Sequence, residues 1–392
     1  KLAYAQELKL DRMVLKHPLL TQYDTPIQSD MFMPLEEVRQ TAINWNSPVQ
    51  ILVLFKNLVP SLENVNGKNL GKYAKFHELI DEYIQYKKRT KLANAYGIKF
   101  FNYVSEDEKV HTNFSQILDT GRVSSSKPNM QQIPSNNIFR NCFIAEDNWV
   151  FVSSDYSSQE LNVIAYGSQD PVWLDALERG LDLHGVCADL VFGDKWRNAD
   201  KDEKKKLRTQ IKTINFGLAY GMGPFKLAET LSISQEAALN LIDKYFTEFP
   251  NIKAFLEKLG QYGKDKGFIC TFRPFLRRRW FSDWYPGMQY SKGKMRELGV
   301  IERASKNTPI QGSSADMTKL ALIYVYNEIQ ESWFNSVKIV MTVHDQIDTI
   351  CHRNIAEAWK TRMTELMEKA AKVIIPNSLL KAETNITQTW EK

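Results

Sequence analysis

Two runs of β-forming residues, far apart in the chain, each carry an aspartate at one end. WVFVSS at 149–154 leads into Asp155. KIVMTV at 338–343 and QIDTIC at 346–351 flank His344 and Asp345, two short strands around a tight turn. What lies between Asp155 and the second pair is mostly helical in pattern up to about residue 266. Strands separated by long helical insertions point to an α/β or mixed α+β architecture, and one sheet could gather Asp155 and Asp345. Taken alone, an aspartate after a strand is more often a turn former or a helix cap.

The remaining patterns fit around that frame. Of 392 residues 43% are hydrophobic, enough for a substantial core and two or three subdomains. Residues 1–105 read as mostly helical, with helical periodicity from Leu70 to Tyr96. From 111 to 135 the chain turns to HTNFSQILDTGRVSSSKPNMQQIP, which is turn and loop chemistry. SQELNVIAYG reads as a helix from Ser158, closing at Gly167. GFICTF at 267–272 reads as a short strand, and QGSSAD as the lead into a helix MTKLALIYVYNEI.

Lys and Arg number 51 against 46 Asp and Glu, a surplus too small to imply a polyanionic partner. The local clusters KKR at 87–89, KKK at 204–206 and RRR at 277–279 say more, although any one of them is also an ordinary solvated face. The four cysteines form no CxxC pair and have no nearby histidine set, which argues against a zinc site or disulfide framework and for a reducing, intracellular setting. No apolar run approaches the ~18 residues of a membrane helix, and no signal-peptide pattern follows Lys1.

RTQIKTINFGLAYG at 208–221 places Arg208, Lys212, Phe216 and Tyr220 four apart, on neighbouring turns of one helix face. Asp200 and Glu203 stand where a helix start would be capped. Over about 18 Å the stripe changes from cation to ring, which matches a nucleoside triphosphate: anionic at one end, flat at the other. By spacing alone the stripe is equally an amphipathic helix with surface cations and core aromatics. Glycines at 217, 221 and 223, near its end, indicate a close approach by a ligand or another backbone.

The stretch resembles the nucleotide-binding helix of the family A DNA polymerases, the bacterial DNA polymerase I type, whose pattern is Arg-x3-Lys-x3-Phe-Gly-x2-Tyr-Gly. SSDYSSQEL at 153–161 resembles the family's first metal motif and TVHDQID at 342–348 its second. DTGRVSSSKPNMQQIP, ERASKNTPIQGSSAD, DLHGVCADLVFG and, more weakly, INWNSPVQI at 43–51 resemble further segments. The likeness runs from about Ile43 to the C-terminus and is dense from 111 to 350. Ser158 and Gln159 stand where the family has Gln-Ile, Asn162 where it has Arg, and Gln346 where its second motif has Glu.

The resemblance implies a right-hand architecture: thumb over 1–105, palm over 106–167 and 301–392, and fingers over 168–300. It implies template-directed addition of deoxynucleotides to a primer, with two Mg²⁺ ions (Mn²⁺ as possible substitute) on Asp155, Asp345 and the Tyr156 carbonyl. Arg208 and Lys212 would hold the triphosphate, with His184 reaching its phosphates. Phe216 would lie against the sugar, Tyr220 would hold the template-base stacking position until the helix closes, and Glu160 would exclude a 2′-hydroxyl. Arg122, Asn129, Gln131 and Gln132 would contact the primer side, Arg303, Asn307 and Gln311 the template side, and His344 the primer terminus. The expected partners are primer-template DNA and dNTPs, with no membrane and a monomeric chain. No room for an exonuclease domain is expected ahead of residue 43. Gln346 is expected to leave activity with altered rate or metal preference. The rival readings are a single-subunit RNA-polymerase-like enzyme and a non-catalytic DNA-binding relative.

Overall fold

The computed structural model describes residues 2–23, 41–134, 137–378 and 380–391, and the chain divides into two compact units, 1–111 and 112–392. The first unit is helical. Its helices are α1 (Leu2–Lys16), α2 (Pro48–Lys56), α3 (Gly67–Gly71) and α4 (Glu78–Tyr96). The periodicity expected to run from Leu70 is broken at Gly71, and α4 starts only at Glu78. Trp45, Phe55, Tyr83 and Tyr86 fill its core. Asp11 is fully buried there and accepts hydrogen bonds from Thr41 Oγ1 (2.6 Å) and Trp45 Nε1 (2.8 Å), the pairing a buried carboxylate requires.

The second unit is built on a four-stranded antiparallel sheet in the order β6-β7-β3-β8. The chain first forms a small ladder, β1 (Asn113–Ser115) with β2 (Ser124–Ser126), then α5 (Asn137–Arg140) and the central strand β3 (Trp149–Tyr156). Nearly every residue of β3 is buried, as expected of a strand covered on both faces. Helices follow: α6 (Gln159–Ser168), α7 (Pro171–Glu178), α8 (Leu183–Phe192), α9 (Asp194–Arg197), α10 (Lys201–Ala219), α11 (Pro224–Leu231), α12 (Gln235–Glu248) and α13 (Pro250–Lys266). A second small ladder joins β4 (Phe268–Cys270) to β5 (Arg278–Trp280). The long α14 (Met295–Ser332) then leads to β6 (Val337–Val343), β7 (Gln346–His352), α15 (Ala356–Ile374) and β8 (Ala382–Thr387).

The expected entrance to a helix at QGSSAD is instead the interior of α14, which runs 38 residues with Pro309 inside it. Small residues there hide a helix from periodicity because they serve close packing. A Cβ on Gly312 would lie 2.6 Å from Thr271 Cγ2, and Gln159 Nε2 of α6 donates to the Ser314 carbonyl (3.1 Å) and to Thr318 Oγ1 (3.2 Å). On one face of the sheet α15 is anchored by Tyr156 Oη donating to the Met367 carbonyl (2.7 Å) and Trp359 Nε1 donating to Thr349 Oγ1 (2.9 Å). All four cysteines are free thiols, and among the described residues no helix is long and apolar enough to cross a membrane.

Candidate active site

The register of the sheet decides what meets at its end. In the β3–β7 pair Asp155 lies opposite Gln346 and Ser153 opposite Asp348. In the β6–β7 hairpin Val343 pairs with Gln346, leaving His344 and Asp345 as the two-residue turn. Asp345 is therefore the residue next to the cross-strand partner of Asp155, so the sheet gathers both carboxylates, as their distant positions in sequence allowed. His344 has φ +58°, a conformation uncommon for a residue with a Cβ and typical of tight hairpins and functional sites.

A cavity of about 220 Å³ opens beside this turn. It is lined by Asp345 and His344 of the hairpin, Phe216 of α10, Glu160 and Gln159 at the start of α6, Ser314 and Ala315 of α14, and Arg122 of the loop before β2. Arg122 and Glu160 form an ion pair across it through Arg122 Nη2. Burial pushes the Glu160 carboxyl above the usual carboxylate range, and Arg122 pulls the other way. The Arg122 loop is itself held from below. Arg277, just before β5, donates to the Thr120 carbonyl (2.7 Å) and to Asp316 Oδ1 of α14 (3.0 Å). Gly121 has φ +77°, and a Cβ there would meet the Arg277 guanidinium at 2.3 Å, so glycine is required at that bend.

The stripe lies on α10 as its spacing predicts. Asp200 caps the helix by accepting from the Glu203 amide (2.8 Å). Arg208 and Lys212 are exposed, Phe216 and Tyr220 half-buried, and the two rings stack with centroids 6.3 Å apart. Tyr220 is the C-cap of the helix rather than part of its body. Gly221 (φ +73°) lets the helix end close on α14, where a Cβ would stand 2.8 Å from Arg303 Cγ. The Arg208 guanidinium makes a two-pronged pair with Asp182, Nε to Oδ2 at 2.7 Å and Nη2 to Oδ1 at 2.9 Å. That bond lowers the Asp182 pKa and raises that of Arg208. His184 is turned inward, with Nδ1 3.0 Å from Asn215 Nδ2. Desolvation brings its pKa down to about 4, Arg208 and Lys212 act the same way, and Asp182 opposes them. At neutral pH the ring is uncharged.

The other expected contact residues scatter around this centre. Gln131 is half-buried and donates to the Thr342 carbonyl (3.0 Å), which ties the loop to β6. Asn129, Gln132, Arg303 and His344 are exposed, and Asn307 and Gln311 are half-buried on α14. Asp182, Arg277 and Asp316 escaped the sequence reading as site residues, since their partners lie 26 to 157 positions away and no local pattern encodes such pairs.

For a divalent cation the site offers hard oxygen donors. Those that could hold it are Asp155, Asp345, the Tyr156 carbonyl and the Gln346 Oε1 atom, the last buried with no hydrogen-bond partner among the described residues. No group of three or more His, Cys, Asp or Glu suited to a metal occurs among the described residues. Two carboxylates supplemented by neutral oxygens and phosphate oxygens nevertheless fit magnesium, which keeps several of its waters.

Residues 26–392 match the family model described as DNA polymerase family A. Relatives include DNA polymerase I of Bacillus caldotenax, 32% identical over 370 residues, covering 90% of this chain and 40% of the relative. The thermostable DNA polymerase I of Thermus aquaticus is 32% identical over 320 residues, covering 80% of this chain and 36% of the relative. The chain thus spans about two fifths of the length of the curated relatives it matches. A solved structure, the POL domain of Pol1 from M. smegmatis in complex with DNA primer-template and dNTP, superposes with TM-score 0.81 at 25% identity, covering 99% of this chain and 65% of that one. A palm-like sheet that joins two distant aspartates, a cation-and-ring helix beside it and a family match over nearly the whole sequence leave one conclusion: the chain belongs to DNA polymerase family A.

Proposed function

We propose that this chain is a template-directed DNA polymerase domain that extends a primer 3′-end with deoxynucleotides. The single observation that carries this reading is the β3–β7–β6 register, which sets Asp155 and Asp345 together beside the cavity that Phe216, Glu160 and Arg122 line. Asp155, Asp345 and the Tyr156 carbonyl would hold two Mg²⁺ ions. Such ions, when bound, stabilise the attacking and leaving oxygens of an in-line displacement at phosphorus.

The protein's own part is binding and exclusion. Arg208 and Lys212 point cationic groups at solvent, where a triphosphate is anionic. The Arg208–Asp182 pair is half-exposed and so weakly held, and a phosphate can take the place of Asp182. Phe216, next along the stripe, offers a flat face to the sugar, and Tyr220 at the helix end stacks in the template-base position. Glu160, at the cavity wall, leaves no space for a 2′-hydroxyl, and a buried polar group without a partner is rejected. Arg122 reaches minor-groove acceptors common to all base pairs once it leaves Glu160. Asn129, Gln131, Gln132 and His344 serve the primer side, and Arg303, Asn307 and Gln311 the template side. His184, uncharged and buried at Nδ1 against Asn215, lies near Arg208 and Lys212, from where it would reach the phosphates. The thumb corresponds to 1–105, the palm to 106–167 and 301–392, and the fingers to 168–300. The helical first unit and the sheet of the second support that division.

Primer extension with magnesium tests the reading. Asp345→Asn should reduce extension by at least about 100-fold, given the several kcal/mol such a metal site supplies, while the variant stays folded. Extension with dNTPs but not rNTPs separates this function from an RNA-polymerase-like one. A folded wild-type chain that binds primer-template without extending it would leave only a DNA-binding role.

A further inference from the structure

Behind the end of β3 lies a buried polar cluster of which the roles above use only Gln346. Asp348 is fully buried, and Gln346, Arg140 and Ser153 are 2%, 5% and 7% exposed. Because Ser153 faces Asp348 and Asp155 faces Gln346 in the β3–β7 pair, all four strand side chains share one face of the sheet. Gln346 Nε2 donates to Asp348 Oδ1 at 2.5 Å. The Arg140 guanidinium lies over the Trp390 ring, 4.5 Å from its centroid. Asp348 and Asp155 both support its charge against the burial that disfavours it.

This arrangement is directional. The amide gives its NH₂ group to Asp348 Oδ1, so its carbonyl is turned the other way. The side chain of Gln346 is thereby fixed with Oε1 on the far side from Asp348, buried and without a hydrogen-bond partner among the described residues. A buried acceptor left without a donor is costly, so this orientation is held by the Nε2–Asp348 bond at the other end of the amide. Asp155 is its cross-strand neighbour, and Asp345 precedes it in the chain.

We propose that Asp348, backed by Arg140, is a positioning residue that locks Gln346 with its carbonyl oxygen toward Asp155 and Asp345, where it acts as a neutral oxygen donor to a bound divalent cation. The proposal rests on the metal-site reading above. It also explains why a glutamine suits position 346 in this chain: a glutamate there would press a second carboxylate against Asp348 across a 2.5 Å contact, a like-charge clash in a dry site. The carboxylate has in effect moved two residues along the strand, to 348, where the nearby Arg140 charge offsets part of its burial.

The test uses the whole chain and four variants: Asp348→Asn, Gln346→Glu, the two combined, and Asp155→Asn. Two readouts need no turnover: Mn²⁺ affinity by electron paramagnetic resonance titration, and the thermal midpoint in EDTA. Asp348→Asn lets the amide rotate and should weaken Mn²⁺ binding about 10-fold, as loss of an outer partner of a metal ligand does. Gln346→Glu alone should lower the midpoint, and adding Asp348→Asn should recover it. The proposal is overturned if Gln346→Glu is as stable as the wild type with Asp348 intact, or if Asp348→Asn leaves Mn²⁺ affinity unchanged. Should Gln346→Glu not fold, a folded double variant supports the coupling and an unfolded one overturns it. Asp155→Asn separates the two readings. Undiminished Mn²⁺ binding in that variant removes the metal site, whereas the EDTA midpoints still decide the Asp348–Gln346 coupling.

Discussion

Glu160 and Arg122 close on each other over the cavity, and each residue's proposed role requires the other to let go. With its wall removed, the pocket accepts the extra oxygen of a ribonucleotide. Glu160→Ala should therefore lower the preference for dNTP over rNTP by about 10–200-fold, the range for one small group in a shaped pocket, as read in single-nucleotide insertion kinetics. His184 carries a pH signature. Its folded pKa of about 4 lies below the ordinary 6.5, so the unfolded chain binds the proton first. Stability is then fully present above about pH 6.5 and is lost as pH falls toward 4, by up to about 3 kcal/mol. Denaturant titrations at pH 7 and pH 4.5 should show this fall, and His184→Phe should flatten that part of it. The identity of these residues was legible because their motifs are local. Their partners were not: nothing near His184 in sequence announces Asn215, and nothing near Gln346 announces that Arg140 lies behind it.

At the scale of elements, α10 was readable from end to end because its cap, its stripe and its terminal glycines all lie within one stretch of chain. The α14 helix was only half readable. Its buried Gly312, Ser313, Ser314 and Ala315 look like a turn until their neighbours are known, since small side chains at a close contact carry no apolar period. The gap after Gly71 was missed for the opposite reason, a periodic pattern continuing through residues that the backbone does not wind into helix. The link between α8 and α10 yields a prediction of its own. Asp182 is the N-cap residue of α8 without a side-chain cap bond, its carboxylate being spent on Arg208. Asp182→Asn keeps a good cap residue but frees the guanidinium from a charge that competes with phosphate. The KM for dNTP should fall by up to about 5-fold, consistent with the 0–1 kcal/mol of a half-exposed ion pair, with little change in thermal midpoint. A raised KM would show that Asp182 orients Arg208 rather than competing for it.

At the scale of the molecule, the two units have separate hydrophobic cores, one around Trp45 and Tyr83, the other around the sheet, α14 and α15. Units with their own cores can unfold as separate cooperative blocks. Scanning calorimetry of the chain should therefore resolve two transitions, and a fragment of residues 112–392 should retain the one at which the sheet signal is lost. The mixed helix-and-sheet class was legible from strand and helix patterns. The strand order was not, because β8 pairs with β3 across more than two hundred residues. The register of β3 against β7 carries one last consequence. Side chains alternate faces along a strand, so deleting one residue between Trp149 and Asp155 would bring Tyr156 to the reactive end and point the carboxylate at α15. The strands would still pair, the core would still be apolar, and the protein would be inert. Among the described strands of the sheet, only β6 has slack of this kind, a pairing irregularity between Ile339 and Met341. Gene variants with single-codon gains or losses should survive in that outer strand and vanish from the inner two.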